Sequence, residues 1–138
     1  MVRFFSRSVV LGAALLAATL TIAAQSTTND PRPFNRDAFG RATTAGRTVI
    51  VAFHAPWCPV CKAQEPKVNA LLNSDYRDVL AFNVDYDSNL ALRKEMNVLK
   101  QATLIMFRGK KEIARLTFQS DDASIREFFS HAKEAAVR

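Results

Sequence analysis

Apolar and polar positions alternate along this chain in blocks that switch between strand and helix periods. Thr48 to Phe53 is an unbroken apolar run rich in β-branched side chains, the pattern of a strand buried on both faces of a sheet. From Pro59 to about Leu72 the apolar positions Ala63, Val68, Leu71 and Leu72 take helical spacing, with Pro66 expected to kink the middle. Val79 to Val84 repeats the buried-strand pattern, and Ser88 to Glu95 reads as a short helix. Thr103 to Phe107 and Glu112 to Phe118 are two strand-like runs joined by "RGKK", which predicts a hairpin. The final segment is the clearest helix: Ile125, Phe128, Phe129, Ala132 and Ala136 recur on one face, and Asp121 and Asp122 stand where acids favour a helix start. With a weaker helix over Asn35 to Thr44, the order is helix, strand, helix, strand, helix, strand, strand, helix. A single mixed sheet covered by helices on both faces satisfies that order, an α/β class.

The first 24 residues follow a different rule. Met1 to Ser8 carries Arg3 and Arg7 and no acid, Val9 to Leu20 is almost wholly apolar, and "TIAAQS" supplies small residues near Ala23, Ala24 and Ser26. This order is that of a secretory signal peptide. The apolar run falls short of the roughly 20 residues of a spanning helix, so an uncleaved membrane anchor is the alternative. The expected organisation is a signal peptide over 1–24, a polar lead-in over 25–33 and one domain over 34–138. Export, to a periplasm or its equivalent, would place that domain where disulfides persist.

Composition narrows the function classes. The chain has 138 residues, 49% of them apolar, enough for one domain with its own core. The formal net charge of +6 becomes +4 once Arg3 and Arg7 are removed, and the remaining basic residues are interleaved with acids. That distribution describes a solvated surface and not a nucleic-acid patch.

The two cysteines carry the chemistry, within "VIVAFHAPWCPVCK" at 49–62. Pro59 disfavours helical backbone at the residue before it, which makes Cys58 the expected N-cap and Pro59 the first helical residue. The Cys58 sulfur then meets unpaired amides and the positive end of the helix dipole, which favour thiolate and a nucleophilic role. Cys61, one turn further on, is within disulfide reach and becomes the resolving thiol. Two other readings stand beside this one. A closed metal site wants four ligands, and only His54 and the distant His131 could join the cysteines. An inert staple across so short a loop would remove little unfolded-state entropy.

The apolar strand, the Trp-Cys-x-x-Cys-Lys motif and Pro66 resemble the thioredoxin family, as do "FNVDYD", "NVLKQATLIMFRGKKEIARL" and the terminal helix. The resemblance spans Phe34 to Ala136 and implies a three-layer thioredoxin-like sandwich that exchanges thiols with disulfides. It also exposes three departures. Where the family usually carries a buried aspartate and a lysine near it, this chain has Ala52 and Ala81; loss of both partners together leaves no buried unpaired charge. Where the family has a cis-proline facing the disulfide, this chain reads "QAT", with Ala102 at that place. A cis bond before alanine costs about 3 kcal/mol, so a trans Gln101–Ala102 bond and a reshaped loop are expected.

The resemblance, with the leader pattern of residues 1–24, therefore implies an exported thiol–disulfide oxidoreductase, monomeric and free of cofactors and metal. Cys58 and Cys61 form the couple, with Trp57, Pro59, Val60, Gln101 and Ala102 around it. Trp57 is expected on the surface that receives a partner, Lys62 as local positive potential, His54 packed at a strand end and His131 in solvent. Pro59-Val60 places no histidine between the cysteines, which favours a reductant of protein disulfides recharged by a membrane electron transporter. The rivals are an oxidase or isomerase of secreted proteins, a copper-binding module, and a scaffold that only docks a partner.

Overall fold

The computed structural model describes residues 28–134, so the signal segment and Ala136 lie outside the described residues. In chain order the elements are β1 (Arg32–Pro33), α1 (Arg36–Thr44), β2 (Thr48–His54), α2 (Pro59–Asn73), β3 (Leu80–Asp85), α3 (Leu90–Glu95), β4 (Thr103–Arg108), β5 (Lys111–Thr117) and α4 (Asp122–Glu134). The sheet order is β1-β3-β2-β4-β5, with β1, β3 and β2 parallel and β4 and β5 antiparallel. The expected mixed sheet with helices on both faces is therefore present.

The pleat of β2 divides the core. Ile50 and Ala52 turn toward α2 and α4, joining Val68, Leu72, Leu104, Met106, Ile125, Phe128 and Phe129. Val49, Val51 and Phe53 turn the other way, toward Leu92, Phe82 and the aromatic residues Phe34 and Phe39. Every residue from Thr48 to Val51 is buried, because helices cover both faces, and this produces the unbroken apolar run.

Local chemistry sets the boundaries. Asn35 caps α1 by accepting the Ala38 N–H at 2.8 Å. Helix α3 begins at Leu90 and not at Ser88, because Asp85 holds the preceding turn: its carboxylate accepts from the Ser88 amide and hydroxyl, and its carbonyl from Asn89. The hairpin loop is two residues, Gly109-Lys110, so β5 starts at Lys111; Gly109 has φ +57°, a conformation that favours glycine. Ile113 is the extra residue of a β-bulge, since Met106 faces Ala114 while Phe107 faces Glu112. Asp121 stands just before α4, where its carboxylate accepts the Ser124 N–H at 2.9 Å.

Helix α2 corrects the expected apolar face. Its buried side chains are Cys61, Gln64, Val68 and Leu72, while Ala63 is exposed. Starting the helix at Pro59 turns Cys61 inward, and helical spacing then carries positions 64, 68 and 72 to the same side. The helix continues through Pro66. The polar lead-in also has structure: Asn29 donates from Nδ2 to the Val79 and Leu72 carbonyls at 2.9 and 3.3 Å, and its amide donates to Asn73 Oδ1 at 2.7 Å. Arg32 and Pro33 then pair with Phe82 and Asn83 as the sheet edge.

Candidate active site

The cysteines sit where β2 ends and α2 begins. Cys58 has extended backbone (φ −82°, ψ 115°) and is the N-cap, and its Sγ accepts the Cys61 N–H at 3.1 Å. Pro59 occupies the first turn without wasting a donor. Both cysteines are free thiols. They are also covered: Cys58 is 0% and Cys61 2% exposed, packed with Ala55 and Ala102 and flanked by Val60 and Tyr86. Attack on an outside disulfide therefore needs this cover to be displaced.

Burial pushes the Cys61 thiol up to about 11 from an ordinary value of 9.0, reinforced by its hydrogen bond with Cys58 and by the charge there. The backbone amides of Ala55 and Ala102 act in the opposite direction. Cys61 is thus a protonated thiol at neutral pH.

Ala102 is where the loop departs most from ordinary geometry. Its bond to Gln101 is trans, as expected, and Ala102 adopts φ +54° while fully buried. An alanine in the left-handed region carries strain of about 1–2 kcal/mol. Two donors hold its carbonyl: the Phe118 N–H at 2.9 Å and Gln64 Nε2 at 3.4 Å, the latter also donating to the Gln119 carbonyl at 2.8 Å. Gln101 is half-buried beside it.

The structure distributes the remaining candidates. Trp57 is 57% exposed, with its indole N–H donating to Asp87 Oδ2 at 2.7 Å. Pro59 and Lys62 are exposed and Val60 is half-buried. His54 closes β2 with Nδ1 4.0 Å from Glu65 Oε2. His131 lies on α4 beside Glu134 at 3.3 Å, away from the cysteine cluster. Ala81 is buried in the main core and Ala52 packs against it, so apolar contacts occupy the place of the family's polar pair.

Gln64, Glu65, Tyr86 and Asp87 have roles that pattern reading missed. Tyr86 packs on the cysteine cluster, donates its hydroxyl to the Leu99 carbonyl at 2.9 Å and lies 3.5 Å beneath the Arg93 guanidinium. The only sequence signal for Gln64 was its spacing of three from Cys61 on a helix whose neighbouring apolar positions it shares.

A family model described as Thioredoxin matches residues 31–131. The chain belongs to the thioredoxin family. It is 34% identical over 75 residues to the Aspergillus fumigatus thioredoxin Asp f 28, covering 54% of this chain and 68% of that one. A protein disulfide-isomerase of Aspergillus niger is 31% identical over 96 residues, covering 69% of this chain. The chain spans 19% of that isomerase, and 19% of a bifunctional thioredoxin reductase/thioredoxin of Mycobacterium leprae that is 24% identical over 87 residues. Among solved structures, Trxlp from Edwardsiella tarda superposes with a TM-score of 0.68 at 32% identity, covering 72% of this chain and 97% of that one. Relatives in the thioredoxin family are thiol–disulfide oxidoreductases, and the adjacent Cys58 and Cys61 thiols place this chain in that enzyme class.

Proposed function

We propose that this protein is an exported reductant of protein disulfides, working through a Cys58–Cys61 dithiol. The observation that carries the reading is the N-cap geometry, in which the Cys58 sulfur receives an amide N–H at the start of α2 while Cys61 waits one turn away as a buried thiol. Cys58 thiolate attacks a substrate disulfide, forming a mixed disulfide and expelling one substrate thiolate. Cys61 then attacks Cys58, the second substrate thiolate leaves, and the protein retains an intramolecular disulfide. Two electrons pass from the dithiol to the substrate.

Pro59 and Val60 supply no histidine next to Cys58, so extreme thiolate stabilisation has no source between the cysteines. This supports the reducing direction. The apolar, Arg-led segment at 1–24 supports export, and an exported reductant requires an electron donor, for which a membrane transporter is the natural class. The protein acts as a monomer in this scheme.

The test is a Cys61→Ser variant expressed with its natural leader. Covalent capture of exported proteins on Cys58, released by reductant, is the expected result; absence of captured species while the wild type is active would refute the couple. A measured reduction potential close to that of a strong oxidant, about −120 mV, would reverse the direction. The disulfide-isomerase relative favours one second reading, an isomerase of secreted proteins. Recovery of a scrambled substrate without insulin reduction would select it.

A further inference from the structure

A cavity of about 190 Å³ lies behind Cys61, lined by Ala52, His54, Gln64, Glu65, Asn69 and Asn83, among others. It opens beside the residue that stands where the family usually has a carboxylate, and its walls are mixed, with Phe53, Val68 and Leu104 beside the polar side chains. Asn69 Oδ1 and Asn83 Oδ1 are buried without a hydrogen-bond partner. Buried acceptors of this kind require donors, and the volume accommodates several waters with polar partners on more than one side. The cavity thus suits a short water chain that touches the Cys61 thiol at one end.

Besides Cys61, the charged and titratable groups lining this space are Asp30, His54 and Glu65, from the lead-in, β2 and α2. Asp30, on the lead-in, is committed to Asn73 at 2.7 Å. Asp85, at the end of β3, lies outside the lining and is held by Ser88. Cys58, at the α2 N-cap, is also outside the lining and accepts from the Cys61 amide. His54 of β2 and Glu65 of α2 remain, 4.0 Å apart at the cavity wall. Glu65 is half-exposed, so a proton arriving there passes directly to solvent. Lys67, the next charge along α2, is tied to Asp122 at 2.6 Å and to the Ser120 carbonyl.

We infer that Glu65 is the proton acceptor for Cys61, reached through water in this cavity and oriented by His54, and that it replaces the carboxylate missing at Ala52. The inference rests on the dithiol reading above and names its base. In the resolving step the Cys61 S–H bond breaks, its proton moves through water to the Glu65 carboxylate, and the Cys61 sulfur forms a bond to Cys58. The bond between Cys58 and the substrate sulfur breaks, and that sulfur leaves as a thiolate. Glu65 then returns its proton to solvent. Burial is the largest cause that raises the Cys61 thiol, and it persists when Cys58 is held in the mixed disulfide, which explains the need for a base.

The test uses the reduced full chain and an aromatic disulfide whose thiolate is coloured, 5,5′-dithiobis(2-nitrobenzoate), read by stopped-flow absorbance. Wild type is expected to release two thiolates per chain, the first on Cys58 attack and the second when Cys61 resolves the mixed disulfide. The second rate should be nearly flat between pH 6 and 8. In Glu65→Gln the first release should be unchanged. The second should slow about tenfold at pH 7 and climb about tenfold per pH unit, following free thiolate. Glu65→Asp should recover most of the rate and the flat profile. A second release in Glu65→Gln that matches wild type overturns the inference. Slowing with an unchanged pH slope, or no recovery in Glu65→Asp, assigns Glu65 a packing role and overturns it equally. A wild type that releases one thiolate only refutes the dithiol reading itself, and the inference with it.

Discussion

Replacing Gln64 with methionine tests what holds the reshaped loop over the cysteines. Gln64 is 5% exposed, and its amide donates to the Gln119 and Ala102 carbonyls at 2.8 and 3.4 Å. Methionine keeps the length and much of the volume, so packing around the site changes little. The two hydrogen bonds are lost. The Ala102 carbonyl keeps the Phe118 N–H, whereas Gln119 loses the only side-chain donor described for it. Leaving one part-buried carbonyl unpaired costs about 1–3 kcal/mol, and the Ala102 conformation loses one of its two restraints. A loss of about 2 kcal/mol is therefore expected. In urea, with a slope of about 1.5 kcal/mol/M for a domain of this size, the midpoint should fall by about 1.3 M with the slope unchanged. A change below about 0.5 kcal/mol would refute the reasoning, since the strained Ala102 would then be held by the Phe118 amide and packing alone.

The other predictions concern different parts of the molecule. Asn29→Ala removes three side-chain hydrogen bonds that tie the lead-in to the end of α2 and the segment before β3, and should cost about 1–3 kcal/mol and speed proteolysis near residues 28–34, measured by urea titration and limited digestion. Phe129→Ala, at a fully buried ring 4.9 Å from Tyr76, should cost about 3–5 kcal/mol by the same titration. The folded state raises the Cys61 pKa, so it binds this proton more tightly than the unfolded chain does. Stability from this group is full below about pH 9 and lost as pH rises toward about 11. Thermal melts of the reduced protein should show that decline, and Cys61→Ser should flatten it.

Much of the fold was readable because helices on both faces of the sheet impose a simple code. Thr48 to Phe53 is apolar throughout since neither face meets water, and α4 announces itself through Ile125, Phe128, Phe129 and Ala132. Strand β1 was not readable: two exposed residues, Arg32 and Pro33, have no apolar pattern, and only pairing with Phe82 and Asn83 makes them a strand. Ala63 and Gln64 exchanged places for a related reason. Hydropathy assigns alanine to the core, but the register set by Pro59 and Cys61 turns position 64 inward, where backbone carbonyls satisfy a glutamine better than a methyl would.

The thiol pair, its spacing and its helix start belong to local chemistry, because Pro59 constrains Cys58 through sterics that act between neighbours. The trans Gln101–Ala102 bond is equally local, as alanine lacks the ring that makes a cis bond cheap. The environment of that pair is a different matter. Ala102 takes a left-handed conformation because donors 16 and 38 residues away grip its carbonyl. Cys61 titrates high because packing removes it from water, and a cavity opens beside it because Ala52, Asn69 and Asn83 meet there from three elements. Dielectric, strain and cavity shape are properties of groups distant along the chain and adjacent in space. They exist only once the sheet has brought those groups together.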